Sequence, residues 1–499
     1  MLTHSSPAES WMNTRIQTSE IGKYMKKGRD FIDEGAIEAR LTANANPEAE
    51  WIRDIIAKSL AIETLTPDET AALLNVNDPE LLHEMEQAAG VIKKKVYDNR
   101  IVTFAPLYLS NLCVNNCVYC GFRRENRAIQ RRTLMVDEIR REAEVLCGEI
   151  GHKRLIVVYG EHPVADIDYM VQSIETIYSV NMQTKNGWSR IRRVNVNAAP
   201  LSVADLKRLH EVGIGTYQVF QETYHHKTYS QVHPAGTLKA HYPWRAYCMH
   251  RAFEAGIDDF GIGALFGLYD WKFEVVALVC HARELEEATG IGPHTISFPR
   301  IEPAENTPFA ANLRYRVSDI DFRKAITVIR LAVPYTGMIL TARERAGLRH
   351  QLLPLGITQI DASSRIGIGA YSDQGNGDQH GNRQQFLLGD TRSLDEVIRD
   401  LARQGCITSF CTAGYRCGRT GKSIMDLLRS GREGKFCKLN AVLTFREWLD
   451  DFAGDETRAL GESLIAREIE EIRTALPSMF ETFMQYYRRT CDGESDLYF

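Results

Sequence analysis

Eight short apolar runs alternating with amphipathic helices, over about 260 residues, predict an α/β protein built on a (β/α)8 barrel of TIM type. Two further observations bear on that reading. A cysteine-rich loop follows the first apolar run, on the face where such barrels build their sites. A helical lead-in precedes the alternation and a mostly helical extension follows it, so the chain divides into residues 1–97, 98–369 and 370–499.

In the lead-in, Thr66-Pro-Asp-Glu-Thr starts a capped helix, and 78–96 carries apolar residues at helical spacing. The strand candidates are 101–109, 154–159, 193–197, 215–220, 259–265, 295–300, 337–341 and 358–362. Helices are expected over 136–149, 203–211, 271–287 and 319–333. A doubly wound open sheet also alternates strands and helices, but usually with fewer units. After Gly369 the alternation stops. A polar, turn-rich loop spans 372–381, helices are expected at 393–404, 445–452 and 457–475, and a cysteine-containing stretch lies between at 406–437.

Of 499 residues, 44% are hydrophobic and 25% charged, with 60 Lys+Arg against 65 Asp+Glu. A net charge of −5 gives no basic footprint for nucleic acid. No N-terminal stretch has a signal-peptide core and no window is apolar enough to span a bilayer, so a cytoplasmic protein away from the membrane is expected. In that setting eleven cysteines read as metal ligands and reduced thiols rather than disulfides.

The first cysteine group is Ser110-Asn-Leu-Cys113-Val-Asn-Asn-Cys117-Val-Tyr-Cys120-Gly. Thiolates are the usual ligands of iron–sulfur clusters, and three of them leave one iron of a cubane open. The bland alternatives are a zinc site or three unrelated thiols. Zinc favours a fourth protein ligand close by and paired cysteines.

The C-x3-C-x2-C spacing with an aromatic before the last cysteine resembles the radical S-adenosylmethionine (SAM) superfamily. Val158-Tyr-Gly-Glu-His-Pro, Val194-Asn-Val-Asn-Ala-Ala-Pro, Gln221-Glu-Thr-Tyr-His-His, Gly261-Ile-Gly-Ala-Leu-Phe-Gly-Leu and Ser297-Phe-Pro-Arg resemble its aromatic-amino-acid lyases. That group holds the thiamine-synthesis tyrosine lyases (ThiH) and the [FeFe]-hydrogenase maturases of HydG type. The stretch 292–300, the Cys411 region and the terminal Asp-Leu-Tyr-Phe are similar to the maturase branch.

The resemblance implies a [4Fe-4S] cluster on Cys113, Cys117 and Cys120, whose open iron chelates SAM, and an electron that cleaves SAM to a 5′-deoxyadenosyl radical. It implies cleavage of the tyrosine Cα–Cβ bond to p-cresol and dehydroglycine. Onward conversion to carbon monoxide and cyanide for the hydrogenase cluster follows in the maturases. A low-potential electron donor, an anaerobic cytoplasm and the partner maturases HydE and HydF come with it.

Site residues follow from strand ends. Gly160 and Glu161 end the second strand, with Glu161 expected to accept the SAM amino group. Gln221, Glu222 and Arg300 are cofactor or substrate candidates, and Arg300 could hold a carboxylate bidentately. Arg343 and Ser363, after the seventh and eighth strands, are expected to grip the tyrosine carboxylate and amine, with Tyr108 contacting substrate or cofactor. Each has a bland reading as a strand-end hydrogen bond or salt bridge, or, for Tyr108, a core aromatic.

His294 opens the sixth strand and should point to the opposite barrel end. There the maturases carry a second cluster, bound by C-x2-C-x22-C, and an extra iron with a histidine ligand. Cys411 and Cys437 match the first and last ligands, but Gly414 stands where the middle cysteine belongs, with Cys417 three residues beyond. Three readings stand. Cys417 substitutes through a rearranged loop, or only two ligands remain and the second cluster is absent or labile, or the site is of another kind or lower nuclearity. Tyrosine scission needs only the first cluster; the carbon monoxide and cyanide steps need the second. Cys147, Cys248, Cys280 and Cys491 read as packing residues, and Cys406 carries little weight.

Overall fold

The structure, a computed structural model, describes residues 7–373, 381–430 and 433–499. Most of the polar loop expected at 372–381 therefore lies outside the described residues. Eight parallel strands close a barrel: β1 (Arg100–Ser110), β2 (Arg154–Tyr159), β3 (Arg193–Asn197), β4 (Tyr217–Gln218), β5 (Phe260–Gly263), β6 (Thr295–Ser297), β7 (Gly337–Leu340) and β8 (Gln359–Asp361). Each pairs with the next, and β8 returns to β1 with Val102 opposite Gln359 and Phe104 opposite Asp361. This is the closed TIM-type barrel that the alternation predicts.

β2, covered on both sides, reads as a continuous apolar run, while β3 alternates Val with Arg and Asn, and both fall where the sequence puts them. β4 is shorter than expected. The Asn195 side chain accepts the Thr216 N–H at 3.0 Å and so replaces a ladder bond at its start. Beyond it, single bonds from Val219 and Gln221 to Gly261 and Gly263 carry the pairing on. The helices start at side-chain caps. Thr66 and Ser393 form capping boxes, and Ser202, Asp270 and Ser318 accept from backbone N–H groups one turn in. The helix expected over 136–149 is α-helical only to Glu144 and continues as a π-turn, Val145–Ile150, before left-handed Gly151.

The extension adds a ninth strand, β9 (Ile407–Ser409), parallel to β1 at Arg100–Val102. The helix expected at 445–452 is the end of a longer one, Glu433–Phe452, and helix Pro477–Cys491 was not anticipated. One hydrophobic core runs from lead-in helices such as Pro79–Tyr97 through the barrel to Trp448 and Phe483.

Alternation along β1 organises the barrel interior. Phe104, Pro106 and Tyr108 line a cavity at the strands' C-terminal ends, while Ala105, Leu107 and Leu109 join the outer core. Val102 lines a second cavity at the other end. Phe104, Ile156 and Ile339 form a separate apolar cluster within the barrel.

Candidate active site

The loop that leaves β1 has no regular structure, so side chains hold its backbone. Asn111 bonds across the loop to Gln130 O (2.7 Å) and Arg132 N (2.8 Å). The Arg131 guanidinium donates to the carbonyls of Asn111, Phe122, Arg123 and Asn126. Gly160 lies against the same loop: a Cβ there would sit 2.1 Å from Leu112 O. Its place in the sequence motif is thus explained by close packing as well as by its position on the cavity wall.

Cys113, Cys117 and Cys120 line the upper cavity, whose volume is about 230 Å³. Burial pushes the Cys113 thiol up to about 11 and the Cys117 thiol up to about 12. The three sulfurs do not lie within 4.8 Å of one another; among the described residues only Asp98, Glu468 and Glu471 offer such a group, and Lys438 sits among them. Thiolates on one zinc ion would be about 3.8 Å apart. The donor set, three thiols spread around a cavity, fits a multi-iron cluster and not a preformed single-ion site.

Around the thiols the cavity is polar on one side. The Glu161 carboxylate accepts from Asn115 Nδ2 at 2.5 Å, and burial raises its pKa. Glu222 has a left-handed backbone (φ 73°) and receives Lys239 Nζ at 2.6 Å, with Arg245 at 3.6 Å. Burial would raise its pKa, but Lys239, Arg245 and Arg343 lower it, so it is held ionised. The Arg343 guanidinium stacks on Phe386, 3.4 Å from the ring centroid, and makes no ion pair among the described residues. Glu302 shares this wall. Tyr108 also lines the cavity and donates its hydroxyl to Gln385 Oε1 at 3.0 Å.

Three other predicted residues fall elsewhere. Arg300 is committed to Glu344 and Asp319 and stacks on Phe322, outside the cavity lining. Gln221 is buried and does not line the cavity, because the extended segment after β4 keeps the strand's alternation and its neighbours Phe220 and Glu222 face inward. Ser363, with φ 51°, lines a different cavity of about 450 Å³ beside Ser364, Asp395 and Trp448. Conversely, Asn115, Lys239, Arg245, Glu302 and Gln385 sit in the site although nothing in the local sequence pattern marks them.

The lower cavity, about 80 Å³, brings together His294, Asp259, Cys411, Gly414 and Cys437. His294 Nδ1 is 3.0 Å from Asp259 Oδ2, which also accepts from Tyr415. Cys417 is not in this lining. It is exposed, and its Sγ lies 3.9 Å from Phe499 O. Two thiols and a histidine are therefore present, and of the three readings the one that brings Cys417 into the site is not the arrangement seen.

Residues 107–278 match the Radical SAM superfamily and residues 297–407 the Biotin and Thiamin Synthesis associated domain. Fold, cysteine loop and match together define a radical SAM enzyme. The chain is 30% identical to 2-iminoacetate synthase of Escherichia coli K12 over 370 residues, 74% of this chain and 91% of that protein. It superposes on the crystal structure of HydG, a maturase of the [FeFe]-hydrogenase, with a TM-score of 0.88 and 47% identity, covering 94% of this chain and all of that one. For the HydG of Carboxydothermus hydrogenoformans the TM-score is 0.77 and the identity 38%, covering 96% of this chain and all of that one. The chain belongs to the radical SAM family that contains 2-iminoacetate synthase and HydG. No described helix is long and apolar enough to cross a membrane.

Proposed function

We propose that this protein is a radical SAM tyrosine lyase that cleaves the Cα–Cβ bond to p-cresol and 2-iminoacetate, the compound also called dehydroglycine. The observation that carries the reading is Arg343: a half-buried guanidinium on the lining of the cavity that the three cysteines share, with no carboxylate at ion-pair distance among the described residues. A cation drawn partly out of water favours an anionic partner, and the bidentate fork of arginine suits an amino-acid carboxylate. The names of its relatives support the same chemistry.

Cys113, Cys117 and Cys120 would hold three irons of the cluster. When bound, cluster and SAM supply a carbon radical able to abstract a substrate hydrogen atom. Glu161, fixed by Asn115, accepts the SAM amino group. Glu222 with Lys239 and Arg245 continues the same polar wall, joined to Glu161 through Asn115, whose Oδ1 accepts the Lys239 N–H. Tyr108 offers its oxygen to the substrate amine. Apolar side chains, Phe104, Ile339, Phe386 and Leu388, exclude water from a reaction that water would quench.

Onward conversion to carbon monoxide and cyanide, and work alongside HydE and HydF, are the wider reading, supported by the similarity to HydG across most of the chain. The lower cavity favours the narrower one. Gly414 contributes no thiol and Cys417 faces Phe499, so a three-thiol second cluster does not fit and we derive no step through it. Segment 370–499 is then a covering extension that supplies Gln385 and Phe386 to the site.

An anaerobic assay with SAM, a low-potential reductant and tyrosine, scoring p-cresol and carbon monoxide together, tests this. Cresol alone is the expected result. Both products would establish the wider reading, and SAM cleavage without cresol would overturn tyrosine as substrate.

A further inference from the structure

We infer that Gln385 is a positioning residue that sets the reduction potential of the iron–sulfur cluster and orients Tyr108, because its side-chain amide bridges Cys120 Sγ and the Tyr108 hydroxyl. The inference rests on Cys113, Cys117 and Cys120 being the cluster ligands.

Gln385 Nε2 donates to Cys120 Sγ at 3.3 Å, and Oε1 accepts the Tyr108 hydroxyl at 3.0 Å. The backbone is seated on the same loop, since Gln385 O accepts the Gly121 N–H at 3.1 Å. A Cβ at Gly121 would come within 2.5 Å of that oxygen, so glycine is what permits the approach. Chemistry fixes which way the amide points. An iron-bound thiolate has no hydrogen and can only accept, so the NH2 faces sulfur and the oxygen is left for tyrosine.

Two consequences follow. Hydrogen bonds to cluster sulfurs help set the potential, and a donor stabilises the reduced, more electron-rich state. The other amide near a cysteine, Asn115, is 3.8 Å from Cys113 Sγ and is shared with Glu161, so Gln385 makes the shorter contact. Second, with its hydrogen committed to Gln385, Tyr108 presents oxygen lone pairs to the cavity. Burial raises the pKa of its hydroxyl, which keeps it neutral and an acceptor for a substrate ammonium.

The test is a redox titration of the reconstituted full chain followed by electron paramagnetic resonance, without SAM or tyrosine. Gln385→Met removes both hydrogen bonds; Gln385→Glu keeps only the one from Tyr108. Both are expected to hold wild-type iron and sulfide, with reduction about tenfold less favourable, a shift of about 59 mV to lower potential. Tyr108→Phe should leave the potential in place and raise KM for tyrosine. Wild-type potentials in both Gln385 variants would overturn the inference. Should either variant lose its cluster, pulsed resonance of the reduced wild type carrying 15N in its glutamine side chains decides. A glutamine 15N coupled to the cluster supports the bridge, and its absence overturns it. Failure of the lyase reading is separable, appearing as no p-cresol with the potential shift intact.

Discussion

Glu274 is fully buried on helix Trp271–Thr289, where its carboxyl takes the Thr223 hydroxyl and the Tyr224 N–H, the latter at 3.0 Å. Those two residues follow Glu222, whose left-handed backbone costs a non-glycine residue on the order of 1–3 kcal/mol. The helix therefore braces the strained turn that presents Glu222 to the cavity. Burial pushes the Glu274 carboxyl up to about 8 from its usual value of 4.5. The folded state thus keeps a proton that the unfolded chain gives up, and stability from this group falls as pH rises from 4.5 to about 8. Gln is isosteric with the protonated acid and does not titrate. Thermal melting across that range should show Glu274→Gln gaining on the wild type with each pH step, then a constant gap above about pH 8. Parallel curves for the two proteins would refute the account.

At the scale of the element, the cluster loop, tied internally by Asn111 and Arg131, is also buttressed from outside itself. Gly160 at the end of β2 abuts Leu112, and Gly121 abuts Gln385. Replacing Gly160 by Ala places a methyl where Leu112 O sits, and overpacking of this kind costs about 1–3 kcal/mol. The loop should shift away from β2, so the purified variant should carry less than half the wild-type iron while keeping its far-ultraviolet dichroism. Full iron content would show that the loop yields without cost.

Much of this architecture is legible in residue order, because β2 and β3 are buried runs and Thr66, Ser202 and Ser393 are cap residues at the expected offsets. Helix Glu433–Phe452 was partly hidden by Lys438 and Asn440, polar residues that the fold buries and pairs with Asp98 and Phe499. The cysteine triad, Glu161, Glu222, Arg343 and Tyr108 reach the site because motifs and strand ends carry local signals. Asn115, Lys239, Arg245 and Gln385 carry none, since their roles arise from contacts between segments far apart in the chain. Arg300 and Ser363 show the converse: a strand end is a place, and neighbours decide what occupies it.

Across the whole molecule the three sequence segments share one core. β9 pairs with the start of β1, Trp448 stacks near Phe410, and Lys438 binds Asp98 at 2.9 Å. A chain ended at residue 369 would expose these surfaces on the barrel's first strand. Size-exclusion chromatography should find it in the void volume or in inclusion bodies. A monodisperse, folded product of residues 1–369 would show the barrel to be self-sufficient.

Closure between Phe104 and Asp361 also has a consequence for biosynthesis. On the ribosome, the three thiols emerge while β8 and Gln385 remain untranslated, an interval on the order of tens of seconds at usual elongation rates. During it the cysteines that will hold iron have neither a barrel beneath them nor a cover above. A cluster cannot reach its final seat against Gln385 until that residue has been made. The topology thus makes cluster insertion a step that follows translation, because its three ligands gain barrel and cover only when the chain is complete.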